Sequence, residues 1–103
     1  FGGYLFCSAT PYQKRLLLGT RDLAHAIAVH DEDCLLDDLR QIAAAMERNA
    51  PLVPFPCLKR GARVRIVEGA FKGIEGIVSE RKKKFRVVLN VRMLHQAVAL
   101  EVD

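Results

Sequence analysis

No apolar run in this chain approaches the roughly 18 residues that a membrane-spanning helix needs, so none of it reads as a membrane segment. No stretch joins a basic start to an apolar core in the manner of a secretory signal. Cysteine is scarce: Cys7, Cys34 and Cys57 are odd in number and far apart, which fits neither a disulfide framework nor a zinc spacing. They are expected as reduced thiols acting as small core residues. His25, His30 and His95 are isolated. None has a second ligand at metal spacing, and no Ser or Cys pairs with a His in a nucleophile signature, so no catalytic residue, metal or cofactor is expected. The glycine-rich "GAFKGIEG" stands between two alternating runs rather than before a helix, so it fails the context of a nucleotide-binding loop. An initiating Met is also missing. The opening "FGGYLF" is expected to continue from a longer chain.

What is present is one domain's worth of chain, or two very small modules: 103 residues. A chain of this size buries roughly 65% of its unfolded surface, enough for a modest core. The net charge of +4 hides an asymmetry. Residues 1–56 hold five Lys/Arg against seven acids, and residues 57–103 hold eleven against five. The second half is a basic module. The split suggests two units with different partners, one of them nucleic acid or an acidic protein.

Along the chain, "YLFC" (Tyr4 to Cys7) reads as a short buried strand. "TPYQKRLLLG" predicts a two-turn helix, with Thr10 as its N-cap, Pro11 in the first turn and Gly19 as the stop. "LAHAIAVH" alternates weakly and predicts a strand with Ile27 and Val29 on one face. "DEDCLLDDLRQIAAAMERNA" is the clearest helix: Leu35, Leu36, Leu39, Ile42, Ala43 and Met46 make an apolar stripe, and Asp31, Glu32 and Asp33 load its positive end. Asn49 and Pro51 end it. Pro51, Pro54 and Pro56 then read as a stiff extended linker.

After the linker the period becomes two. Val64 and Ile66 oppose Arg63 and Arg65. "IEGIVSE" follows. Phe85, Val87, Leu89 and Val91 oppose Arg86, Asn90 and Arg92, and Val98, Leu100 and Val102 share a face. So many short strands predict a small closed barrel, since closure removes exposed edges. The β-branched "KFRVVLNV" argues for a fixed barrel rather than one that refolds as helix.

Within this pattern Gly69 and Gly73 flank Phe71 where a reversal is expected, and Gly76 inside a strand marks a bulge, a bend or a close approach. "RVRIVEGAFKGIEGIV" resembles the KOW motif: a basic alternating strand, a G-x-F-x-G loop, and a strand with a further Gly. "FGGYLF" resembles the "FPGYLF" segment of the NusG N-terminal (NGN) domain. "TPYQKRLLLGT", the acidic helix, the Pro-rich linker and KOW follow in that family's order. Gly2 stands where the family has Pro, and the strand and helix that precede "FPGY" in the family are not in this sequence.

The resemblance implies an α+β chain: residues 1–50 a partial NGN-like α/β unit, 51–58 a linker, and 59–103 a KOW SH3-like barrel. It implies a non-enzymatic, bacterial, cytoplasmic elongation or antitermination adaptor. Phe1 and Tyr4 would lie near the RNA polymerase contact, although core packing is the plainer reading of Tyr4. Phe71, with Gly69, Lys72, Gly73 and Ile74, would hold a small-subunit ribosomal protein or Rho; the plainer reading has Phe71 plugging the barrel end. Gly76 would be structural. Arg63, Arg65 and the run Arg81, Lys82, Lys83, Lys84 are candidates for weak, salt-sensitive nucleic-acid contact. The plainer reading of that run is a solvated hairpin tip with Phe85 turned inward. The rival identity is a ribosomal-type KOW protein that binds structured RNA.

Overall fold

The computed structural model describes residues 3–23, 25–81 and 83–102. The chain divides into two units, Phe1–His30 and Asp31–Asp103. Among the described residues no helix is long and apolar enough to cross a membrane.

The first unit holds one helix, α1 (Pro11–Leu18). Its start follows the sequence signal. The Thr10 hydroxyl accepts from the N–H of Gln13 at 3.2 Å, and the Gln13 side chain accepts from the N–H of Thr10 at 2.9 Å. This reciprocal box satisfies two N–H groups that the first turn leaves free. Gly19 caps the other end. The strands expected at Tyr4–Cys7 and in Leu23–His30 are not formed among the described residues. No ladder partner reaches either segment, and a lone strand leaves its backbone groups to water. No described residue of this unit is buried. Tyr4 is 42% exposed, so the core-packing reading of its ring does not hold, and Cys7 is exposed rather than a core thiol.

The second unit begins with α2 (Glu32–Glu47). Asp31 caps it, its carboxylate accepting from the N–H of Cys34 at 3.0 Å. Asn49 ends it in a left-handed conformation, φ 55°. There the N–H groups of Asn49 and Ala50 return to the carbonyls of Met46 and Ala45, a paired closure of the last turn. Leu35, Ile42 and Ala45 are buried where α2 packs on the sheet.

That sheet has five strands: β1 (Leu52–Pro56), β2 (Arg63–Arg65), β3 (Glu75–Arg81), β4 (Lys84–Val91) and β5 (Gln96–Val102). All are antiparallel, in the order β1-β5-β4-β3-β2. The chain is therefore α+β, but the expected closed barrel is corrected to an open sheet. No pairing joins β1 to β2 among the described residues. Closure is hindered by the strands themselves: β2 spans three residues, and β1 lacks N–H donors at Pro54 and Pro56.

The Pro-rich segment is likewise corrected, from linker to edge strand paired with β5 (Leu52↔Leu100, Phe55↔Ala97). Its prolines fall two apart. They share one side of the strand, and an edge strand needs N–H donors on the other side only. The unit boundary at His30/Asp31, with α2 grouped with the sheet, also lies earlier than the expected end of the first domain at residue 50.

The register bears out the expected faces. Phe85 pairs with Val102, Val87 with Leu100 and Leu89 with Val98. Val87, Leu89, Val91 and Leu100 are buried. The opposite face of β4 is covered as well. Val88, Ala97 and Ala99 are buried beneath Phe55, Cys57 and Leu58. The cover is Phe55 of β1 and the connection from β1 to β2, which crosses from one edge of the sheet to the other. The Asn90 side chain accepts from the N–H of Leu58 at 3.1 Å and donates to its carbonyl at 2.8 Å, as a strand would. Gly61 of the same connection lies against Ile77. "KFRVVLNV" forms β4, as its β-branched content predicts.

Candidate partner-binding loop

Residues 66–74 join β2 to β3. The loop is closed at its base by Ile66, whose N–H donates to the Ile74 carbonyl at 3.0 Å and whose carbonyl accepts from Gly73 at 2.8 Å. Inside it, Lys72 N–H returns to Gly69 O at 3.3 Å and Ile74 N–H to Phe71 O at 3.2 Å. Gly69 and Gly73 have φ of 90° and 95°, a region that side chains with a Cβ enter only under strain. The two glycines thus permit the tight reversal that carries Phe71.

The loop exposes apolar and charged residues together, Val67 beside Glu68 and Lys72. Val67 is 69% exposed, and Phe71 is half-buried, neither sealed inside nor fully presented. Gly69, Ala70, Lys72 and Gly73 are exposed. Ile74 is the exception among the expected partner contacts. It is 1% exposed, one of the largest fully buried side chains, so its expected role at the surface is corrected to core. Gly76 is a close-approach glycine: a Cβ there would stand 2.5 Å from the Val88 carbonyl oxygen.

The expected nucleic-acid residues are divided. Arg63 and Arg65 both lean on Glu75 across the β2–β3 pair. Arg65 Nε donates to Glu75 Oε1 at 2.6 Å, and Arg63 Nη2 is 3.6 Å from Oε2. Hydrogen bonding and then charge from Arg65, with a smaller part from Arg63, hold the Glu75 carboxyl below its ordinary range. Lys83 and Lys84 are exposed at the β3–β4 turn, with Lys83 in a left-handed conformation, φ 62°. Phe85 shares the Val87 face but is 43% exposed at its end, only part way to the inward position expected of it. Phe1, Lys82 and the side chain of Arg81 lie outside the described residues.

Three side chains that the sequence did not single out, two on α2 and that of Arg48 just after it, make polar ties to the sheet unit. Asp38 accepts from the backbone N–H of Arg92 at 3.0 Å and from its guanidinium at 3.0 to 3.2 Å. Gln41 accepts from the N–H of Glu75 at 2.9 Å. Arg48 Nη1 donates to the Lys72 carbonyl. The Asp38 hydrogen bonds push the Arg92 guanidinium still further toward its charged form. Asp38, Gln41 and Arg48 run along the helix beside Ile42 and Ala45, so the docking stripe is part apolar and part polar.

Among the described residues no three His, Cys, Asp or Glu side chains gather as a metal site would require. Among the described residues, clefts of about 110 and 300 Å³ lie on the sheet unit, and neither of these is lined by a residue of 66–74.

No protein-family model, curated protein or solved structure matches the chain. What the fold defines by itself is an α+β protein whose second unit is a five-stranded antiparallel sheet with one docked helix.

Proposed function

We propose that the chain is a non-enzymatic adaptor of the NusG type, bacterial and cytoplasmic, working in transcription elongation or antitermination. Its N-terminal part addresses RNA polymerase. Its sheet unit recruits a second partner, a small-subunit ribosomal protein or Rho. The observation that carries the reading is the loop: a half-buried Phe71 between two positive-φ glycines, beside an exposed Val67, on stems fixed by the sheet. A ring held this way offers apolar area at little cost in ordering, the property of an interface anchor. The mechanism is surface complementarity, with no bond made or broken.

The rival RNA-binding reading has less behind it. Arg63 and Arg65 share one carboxylate, which offsets half of their charge. A pull-down of the chain against RNA polymerase, the ribosomal protein and structured RNA separates the two. Polymerase and ribosomal-protein capture is expected; RNA retention without polymerase would replace this reading. Phe71→Ala is expected to abolish capture of the ribosomal protein with the fold intact. Unfolding on that change would make the ring core.

A further inference from the structure

The returning leg of the Phe71 loop contains two peptide groups that are each gripped from both sides. The Lys72–Gly73 peptide donates through Gly73 to Ile66 O at 2.8 Å, and its carbonyl accepts from Arg48. The Ile74–Glu75 peptide accepts from Ile66 N–H at 3.0 Å, and its N–H donates to Gln41 at 2.9 Å. On one side of both groups stands the end of β2. On the other stand α2 and its C-terminal cap, which supply the acceptor (Gln41) and the donor (Arg48) that a further strand would otherwise provide. Gln41 lies on α2 and Arg48 is the residue that ends it, seven residues on, about two helical turns away. Asp38, one turn before Gln41, ties the same face of α2 to Arg92 at the end of β4. The Arg48 guanidinium also lies near Gly73: a Cβ on that glycine would be 3.8 Å from Nη2.

We propose that Gln41 and Arg48 are positioning residues of the recognition site, so that α2 sets the geometry in which Phe71 is presented. This rests on the adaptor reading above. Partner capture and docking of α2 are then coupled, and each strengthens the other by the same factor. A helix grouped by sequence with the first domain becomes a working part of the second.

The test uses the whole chain as wild type, Gln41→Ala/Arg48→Ala, Arg48→Lys and Phe71→Ala. Amide exchange is read at Gly73 and Glu75 against Val88 and Ala99 in the sheet, and affinity is read for the purified small-subunit ribosomal protein. In the double variant, exchange at Gly73 and Glu75 is expected to quicken about tenfold with the sheet amides unchanged. Affinity is expected to fall about tenfold, within the usual range of coupling between sites. Arg48→Lys should recover most of the affinity, because an ammonium still donates to the Lys72 carbonyl. Unchanged exchange at Gly73 and Glu75 overturns the proposal. So does quickened exchange at Val88 and Ala99, since the ties would then hold the whole fold. Loss of binding in Phe71→Ala with wild-type binding in the double variant overturns this inference alone. Wild-type binding in Phe71→Ala sinks the adaptor reading and the inference with it.

Discussion

Replacing Gly76 with alanine adds one methyl group where the structure has no room for it. The new Cβ would stand 2.5 Å from the Val88 carbonyl oxygen, 2.7 Å from Val87 Cγ1 and 3.0 Å from Leu89 Cδ2. The two side chains can rotate aside. The carbonyl cannot move freely, because Val88 sits mid-sheet, paired with Ile77 on one side and Ala99 on the other. The oxygen is about 0.9 Å short of the 3.4 Å at which ordinary contact begins. Overpacking of this kind costs about 1–3 kcal/mol, and a backbone neighbour puts the cost at the upper end. For a unit this small each kcal/mol lowers the melting temperature by roughly 4–8 °C, so a fall of about 12 °C or more is expected. Gly69→Ala is the control. Nothing lies within 4 Å of its added Cβ, and its φ of 90° leaves only backbone strain, on the order of 1–2 kcal/mol. Thermal and urea melts by far-UV circular dichroism compare the two. If Gly76→Ala melts within about 4 °C of wild type, or if Gly69→Ala is the more damaging, close approach is not what demands a glycine at this position.

Asn90→Ala strips the Leu58 backbone of both side-chain partners and should cost about 1–3 kcal/mol in urea denaturation, with Asn90→Asp restoring only the bond to the N–H. Ile74→Ala should cost about 2–5 kcal/mol as a buried truncation, whereas Val67→Ala in the same loop should stay within about 0.5 kcal/mol. Glu75 gives a pH signature. Its folded carboxyl titrates below the ordinary value near 4.5, chiefly through Arg65, so the unfolded chain takes up the proton first as pH falls. The stability it contributes is whole above that value and drains away as pH drops through it toward the lowered folded pKa. The urea midpoint of Glu75→Gln should therefore fall less steeply below about pH 4.5 than that of wild type; parallel curves would show that Glu75 does not carry the acid limb.

Local signals carried the elements that depend on neighbours in sequence. The Thr10 cap, the acid-loaded start of α2, the Asn49 stop and the period-two faces of β4 and β5 all rest on contacts within one turn or one strand pair. Elements that depend on distant partners were misread. Pro54 and Pro56 looked like linker because their effect on a strand depends on which side of it is bonded, and that is decided by β5 some forty residues on. Tyr4–Cys7 had strand composition but no ladder to join. In the candidate site, the reversal around Phe71 was legible from its glycines. Ile74 was not, since a single apolar residue beside a loop can turn either way. Gln41 and Arg48 were hidden because polar side chains on a docking face look like solvated ones until the receiving backbone is known.

An open sheet invites other chains to extend it, and each border of this one is poorly suited to that. A newcomer beside β1 meets two successive outward positions, Pro54 and Pro56, with no hydrogen to give, so a continuous run of bonds cannot start there. A newcomer beside β2 finds only three residues and a pair of guanidiniums that a second copy would have to face with its own. The sheet can stay open and still offer little purchase to a strand that would lengthen it.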